Sequence, residues 1–542
     1  MDSNINTSRL IIFHPFLAGL YPIFALLAIN INETRLDLVS RVLIVVILTI
    51  AVFWLLLFLL VKDVLRAAVI SSLTIAFFSI YGHLINMLQS VLPSGNSLSS
   101  HFILLPIMLI LYTLSLRWIR QNELSRQNHR IIQIFLLVLL LFPSYQIVQA
   151  SIGRNAFNNQ APAATKPSDN FELLNGSNLP DIYVFVLDEY PRADALLNEF
   201  EFDNSEFVSS LEDLGFFVGE CSRSNYDSTI MSLNALFNMN YIEDIVPEAD
   251  LENGERSFLA EPLYDNTVRR TLEEIGYTSI AFQTSFYFTE FTDTTYYLEP
   301  NSTGTTYFEE AIGENAISRF IIGLSLNEFE WLVANTTGLR LLTDIAANLV
   351  EGQAVDTIYL DRLRKYNRIL FQFDQVVEIP RSYESPKFVF THILLPHEPF
   401  VFAPDGSFIV VREDYKKKEP ERIQLFLDQV GYVNGRLLPT LETMIQNSAS
   451  PPVIMLMADT GPNSPTENSI RNEILNAYYV PDDLMDDLYP EISPVNSFRL
   501  LFSNLFDLDY PLVEDKAYRT TVENPILPMP AENYPTVCVP NE

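Results

Sequence analysis

The sequence predicts a helical membrane segment of about five spans, followed by one large α/β domain with a mainly parallel central sheet flanked by helices. Two observations predict this. Five apolar runs, at about 10–30, 42–61, 67–89, 102–116 and 131–149, fill the first ~150 residues with few charges. Each is close to the ~20 residues that cross a bilayer. Farther on, apolar runs at 182–187 and 453–458 lead into acidic residues, and a stretch at 387–394 that reads as a buried strand leads into His-containing sequence. Runs without polar alternation are strands buried on both faces, as in the middle of a parallel sheet.

Composition narrows the function classes. The 542-residue chain is 48% hydrophobic with a formal net charge of −33. That charge excludes a nucleic-acid partner, because phosphate backbones need basic surface. The two cysteines, Cys221 and Cys538, exclude a disulfide scaffold and a cysteine-type zinc site. A bond between them and a pair of free thiols both remain open.

In the membrane segment, Lys62 and Arg66 lie between the second and third runs, and Arg117, Arg120, Arg126 and Arg130 between the fourth and fifth. The loop at about 90–101 has no charged residue. The positive-inside rule puts both basic loops in the cytoplasm. Counting the runs then puts the N-terminus inside and everything after ~150 outside, the expectation for a multi-pass plasma-membrane protein with an extracytoplasmic C-terminal domain. Residues 151–179, rich in Asn, Ala, Pro and Ser, read as a linker. The chain divides into a transmembrane part (1–150), that linker, a domain over 180–520 and a Pro-rich tail (521–542).

In the outer domain, 205–214 reads as a helix stopped by Gly215, and 216–218 as a short strand. A polar loop, 222–229, runs into an apolar helical pattern at 230–239. Thr229 therefore sits at a helix N-terminus, where free N–H groups and partial positive charge favour an anion such as phosphate. The plainer alternative is that Ser228 or Thr229 only caps the helix. Residues 279–283 read as a strand. The stretch at about 300–376 reads as mostly helical and shows no chemistry. Its apolar residues, Phe320, Phe329 and Trp331 among them, suit a core or a membrane-proximal surface.

The strand at 387–394 contains His392, and His397 follows in the next loop. A histidine that is merely buried and hydrogen-bonded is commoner than one with a ligand role. A long amphipathic helix at 419–448 precedes the strand at 453–458, which ends in Asp459-Thr460-Gly461. Asp188 and Asp459 thus follow two apolar strands, and in a parallel sheet both lie at the carboxyl edge, where α/β folds place ligands. Two carboxylates, a hydroxyl at a helix N-terminus and two histidines suit a divalent metal and phosphoryl transfer.

The segments PDIYVFVLDE, SRSNYDSTIMSLNALFNMNY, FVFTHILLPHEPF, PPVIMLMADTGP and SPVNSFRLLFSNLF occur in the order that resembles the alkaline phosphatase superfamily. The resemblance is to its sulfatase-like branch, with membrane-anchored lipoteichoic acid synthases and phosphoethanolamine transferases, and covers roughly 178–520. It implies Asp188, Thr229 and Asp459 as metal ligands, with Glu189 as a substitute for Asp188. It also implies Thr229 as the nucleophile, and His392 and His397 in contact with substrate or a second metal. The family usually reads Asp-His-Gly where this chain has Thr460 in place of histidine. Threonine is a poor zinc ligand. The implied metal is then Mn²⁺, Mg²⁺, Ca²⁺ or Zn²⁺, with oxygen donors favouring the first three. Cys221-Ser222-Arg223-Ser224-Asn225 lacks the C/S-x-P/A-x-R pattern that generates formylglycine, so no formylglycine is expected.

Two functions follow from this reading. One is a membrane-anchored hydrolase or transferase acting on phosphoester groups of lipid-linked or cell-envelope substrates. The other is a degenerate member that binds an envelope glycan, lipid or protein without turnover. A transporter is disfavoured, because the membrane runs lack paired intramembrane charges.

Overall fold

A computed structural model describes residues 12–31, 39–91, 97–123, 125–158, 179–252, 256–300, 328–349, 357–409, 419–463, 470–521, 524–531 and 538. The chain forms two compact units. The first comprises 1–156 with 302–360, and the second 157–301 with 361–542.

The first unit is helical: α1 (His14–Ile29), α2 (Val39–Val61), α3 (Val64–Val91), α4 (Ser97–Gln121) and α5 (Arg126–Asn158). Four of these are long and apolar enough to cross a membrane. The first apolar run forms a helix of only 16 residues, shorter than a full span, packed on α2 and α3. Val45, Leu48, Val52, Leu55 and Leu59 lie exposed along α2. Such a surface is unfavourable in water and matches hydrocarbon. α5 runs on through 158, so the first residues read as linker continue the helix; 159–178 lie outside the described residues. Two later helices, Glu328–Thr336 and Arg340–Leu349, belong to this unit although they stand far along the chain.

The second unit is built on a seven-stranded sheet: β1 (Ile182–Asp188), β2 (Phe217–Val218), β3 (Thr278–Phe282), β4 (Tyr296–Leu298), β5 (Lys387–Pro396), β6 (Val453–Ala458) and β7 (Asn476–Tyr479). Their order is β2-β7-β6-β1-β5-β3-β4. β1 is central, parallel to both β5 and β6. β3 and β4 continue the parallel set, while β7 and β2 add antiparallel strands at the other edge.

The period of two along a strand decides which residues share a face. Tyr183, Phe185 and Leu187 enter one apolar layer, packed on the helix Glu419–Asn447 through Val430, Val433 and Leu437. Ile182, Val184 and Val186 enter the other, packed on the helix Thr229–Asn238. All seven β1 residues are buried, the reason the run carries no polar alternation. By the same alternation Asp188 follows Val186, Asp459 follows Met457, and His392 follows Phe390. All three therefore fall on the face covered by the Thr229–Asn238 helix, whose Phe237 meets Phe390 edge-on at 5.1 Å.

Cys221 and Cys538 are bonded, with Cα atoms 5.5 Å apart across 317 residues of sequence. The tail is thereby tied beside the loop that leads to Thr229. Disulfides persist in oxidising compartments. Cys538→Ser is expected to cost about 2–4 kcal/mol, the usual contribution of such a bond. A lower denaturation midpoint of the purified full-length protein would show it, and an unchanged midpoint would mean that the tether adds nothing.

Candidate active site

The carboxyl edge of the central strands gathers the acidic residues. Leu187 pairs with Ala458, so Asp188 and Asp459 are the next residues of adjacent parallel strands, which lie ~4.8 Å apart. The backbone locks this position, with the Asp459 N–H donating to the Leu187 carbonyl at 3.1 Å. Both acids are buried. Oδ1 of Asp459 accepts from the Glu189 N–H at 3.2 Å and the Thr460 N–H at 2.6 Å. Oδ2 is buried without a hydrogen-bond partner, as is the Thr460 hydroxyl. Burial, and then the charge of Asp188 beside it, push the Asp459 carboxyl up to about 8. Two buried carboxylates in this position call for a cation or a shared proton.

Thr229 arrives on the start of the helix that covers this face. Ser228 is extended, and the helix begins at Thr229. Ser228 holds the N-cap position that the plainer alternative gave to Ser228 or Thr229, but its side chain makes no capping hydrogen bond. The approach loop is pinned throughout. Asn225 Nδ2 donates to Ser493 Oγ and the Lys516 carbonyl, each at 3.0 Å. The Thr520 N–H and hydroxyl donate to Asp227. Thr229 is half-buried, and its hydroxyl lies near enough to the Asp459 carboxylate to stabilise its charge.

The histidines differ. His392, in β5, is fully buried. Its Nδ1 pairs with the Thr289 hydroxyl at 3.1 Å, and its Nε2 is buried without a partner. Burial pushes its pKa down to about 4 against the pull of Asp188, so the ring is neutral at pH 7. His397 is anchored by its N–H on the Asp188 carbonyl at 3.1 Å. Its side chain is 40% exposed, with Nε2 3.8 Å from Glu189. Burial opposes its charge, but Asp188 and Glu189 together raise its pKa above the ordinary value. Glu189, at a φ of 64°, is held in the left-handed region that side chains rarely adopt. Its Oε1 accepts from Arg471 at 2.5 Å.

Two cationic residues of the site were not read from the sequence. Arg471 joins Glu189 to the Asp227 carbonyl, at 2.8 Å, linking the β1 edge to the Thr229 loop. Lys365 comes from the helix Thr357–Val376, where the sequence showed no chemistry. It is buried and donates to the His397 carbonyl at 2.6 Å and the Pro399 carbonyl at 3.2 Å. Burial pushes its pKa down to about 7, opposed by Asp188 and Glu189. A signal was present: Arg362, Lys365 and Arg368 recur every third residue, which places them on one helical face, and all three are buried.

The donors at the edge are two carboxylates and the hydroxyls of Thr229 and Thr460, all oxygens. Among the described residues no group of three or more His, Cys, Asp and Glu is placed to hold a metal. Such a set does not fit zinc, which takes three or four N, S or O ligands from the protein. It fits a hard cation that binds through one or two carboxylates and keeps water or substrate oxygens, as Mg²⁺ does. The orphaned Oδ2 of Asp459 is the atom such an ion would satisfy.

No protein-family model and no curated protein matches the sequence. Solved structures do. The C-terminal periplasmic domain of EptC from Escherichia coli aligns at a TM-score of 0.40 and 12% identity, over 68% of this chain and 96% of that one. The soluble domain of lipooligosaccharide phosphoethanolamine transferase A from Neisseria meningitidis aligns at 0.36 and 13%, over 65% and 93%. The integral membrane form of that transferase aligns at 0.36 and 13%, over 94% and 98%. These proteins are of the kind that the sequence motifs resemble. Identities this low assign no substrate, metal or residue role.

The donor set makes a prediction for calorimetry on the full-length protein. Asp459→Ala should abolish binding of Mg²⁺ or Mn²⁺, and Thr460→His should raise affinity for Zn²⁺ or Mn²⁺ by adding an imidazole donor. Unchanged affinity in Thr460→His would mean that residue 460 does not face the ion.

Proposed function

We propose that this protein is a membrane-anchored phosphoryl-transfer enzyme acting on phosphoester groups of lipid-linked or cell-envelope substrates, with Thr229 as its nucleophile. The observation that carries the reading is the meeting of Asp188, Asp459 and the Thr229 hydroxyl at one sheet edge, with His397 and Lys365 beside them. Helical spans in the same chain support a substrate held at a membrane.

Asp188 and Asp459 are assigned to hold a divalent cation, with the Thr460 hydroxyl as a further donor. A cation there would supply Lewis-acid charge, polarising a phosphoryl oxygen and lowering the pKa of the Thr229 hydroxyl. Thr229 is positioned by the start of its helix, whose N–H groups and dipole favour the phosphoryl oxygens. Ionised to the alkoxide, with its proton given up to solvent water, its Oγ forms a bond to phosphorus as the bond to the leaving oxygen breaks. The imidazolium of His397 protonates that oxygen, and the later displacement releases Thr229 again as the alkoxide. An acceptor hydroxyl or water then attacks phosphorus, returns a proton to His397 and releases Thr229. Lys365 adds positive charge, and Arg471 keeps the charge of Glu189 away from the incoming anion. His392, neutral and buried, supports the wall of the site and contacts substrate only through its Nε2.

A second reading is favoured by the lack of a third His, Cys, Asp or Glu ligand among the described residues. On that reading the domain binds an envelope phosphoester without turnover.

Purified protein assayed against phospholipid and phosphodiester substrates, with a series of Mg²⁺, Mn²⁺, Ca²⁺ and Zn²⁺, separates the two. The enzyme reading expects metal-dependent release, reduced more than about 10³-fold in Thr229→Ala, as loss of a nucleophile does. It also sets a pH dependence. His397 has a raised pKa, so its acid form is present below that pKa and lost as pH rises through it. Turnover of substrates with poor leaving groups should fall across that window, and His397→Gln should remove the alkaline limb. Binding of substrate with no release under any ion would support the second reading.

A further inference from the structure

The helix Arg340–Leu349, which follows Glu328–Thr336 across a short turn, has its polarity reversed. Among the described side chains of Arg340–Leu349, the buried ones are Arg340, Thr343 and Asp344. The outward ones are Leu339, at the turn, with Leu342 and Ile345, at 39%, 57% and 39% exposure. A surface helix in water does the opposite, turning its apolar stripe inward.

Two of the inward acids reach polar groups of the membrane helices. Asp344 Oδ2 accepts from Arg340 Nε at 2.9 Å and pairs with His101 Nε2 at 2.8 Å. The other ring nitrogen of His101 meets the Tyr81 hydroxyl at 2.8 Å. Glu330 of the first helix pairs with Arg41 of α2. Phe329 packs with Ile23 and Leu27 of α1 and Val39 and Val42 of α2.

The turn between the helices lies deep along α3. A Cβ on Gly82 would sit 2.3 Å from the Thr336 backbone carbon, and one on Gly338 would sit 2.5 Å from the Phe78 ring. The Gly338 N–H donates to the Phe78 carbonyl at 2.7 Å. Phe78 and Gly82 are inside the candidate span Val64–Leu88. At 1.5 Å per residue Phe78 is about 15 Å from the Leu88 end, roughly half of a ~30 Å hydrocarbon core. Leu341 likewise packs against the cluster of Tyr81, Ile85 and Met108, whose Met108 is within the span Ser100–Gln121. Non-helical backbone at such depth is tolerated only where protein buries it. Here Thr336 and Thr337 are buried.

We propose that Glu328–Leu349 is a re-entrant helical hairpin embedded in the bilayer. It enters from the side opposite the basic loops at Lys62–Arg66 and Arg117–Arg130, with Leu339, Leu342 and Ile345 against acyl chains. Lipid is the occupant because this face continues the exposed apolar surface of α3 and α4, where Met87, Phe102, Ile103 and Ile107 are turned outward. The hairpin returns to the side it came from and leaves the number of crossings unchanged. The chain therefore meets the membrane a second time between its two stretches in the second unit, and the next helix, Thr357–Val376, is the one that carries Lys365.

Both native cysteines are bonded to each other, so single reporters are easily placed. Full-length Leu342→Cys and Ile345→Cys, and Glu212→Cys on an exposed part of the second unit, are labelled with a bimane fluorophore and reconstituted in phosphatidylcholine vesicles. Quenching by doxyl-labelled lipid is compared with quenching by aqueous iodide. The hairpin labels should be quenched several-fold more by lipid than by iodide, with the reverse at residue 212. Iodide quenching at 342 and 345 equal to that at 212 would overturn the proposal. So would protection from both quenchers, which would mean that protein covers this face. The two positions serve as independent replicates should one variant misfold.

Discussion

Two carboxylates held side by side in a low-dielectric edge are the constraint on which the second unit turns. The pairing of Leu187 with Ala458 leaves Asp188 and Asp459 no freedom to separate, and the alternation of strand side chains aims both at the face beneath the Thr229 helix. Like charges so placed repel strongly unless something positive or a proton intervenes. The elevated pKa of Asp459 comes first from its burial and then from the charge of Asp188. A fold that keeps such a cost does so at a functional site more often than elsewhere.

The surrounding residues compensate in different ways. Arg471 neutralises Glu189, which would otherwise be a third carboxylate at the edge. Lys365 is held by backbone carbonyls rather than by an acid, which leaves its charge to act on the site as a whole. His397 carries the positive charge best placed to exchange with solvent, because it alone of the two histidines is partly exposed. The Asp459 Oδ2 and Thr460 hydroxyl remain without partners, a cost that a bound hard cation would relieve.

Much of this was legible in sequence because burial on both faces leaves an unmistakable pattern. β1 and β6 were read as apolar runs and β5 as a buried strand, and the acids after β1 and β6 followed from the parallel-sheet rule. The start of the Thr229 helix was marked by the change from a polar loop to helical apolar spacing. Lys365 escaped because periodicity shows that a helix has two faces but not which one turns inward, and here a cationic face does. Arg471 escaped because its partners, Glu189 and Asp227, are more than 200 residues away. β4 and β7 escaped because strands of three or four residues carry too little pattern. Phe329 and Trp331 were read as core or membrane-proximal surface; their place among the membrane helices rests on contacts such as Arg41 with Glu330, which no local pattern reveals. Only the meeting of distant loops could decide the fate of Cys221 and Cys538.

The central claim is that Thr229 carries the transferred group. Mass spectrometry of the full-length protein, quenched in acid during turnover of a phosphodiester substrate, tests it most directly. The account predicts that the peptide containing Thr229 gains the mass of the transferred group, and that no such adduct forms in Asp459→Ala. Turnover without any adduct at Thr229, or an adduct on another residue, would contradict it.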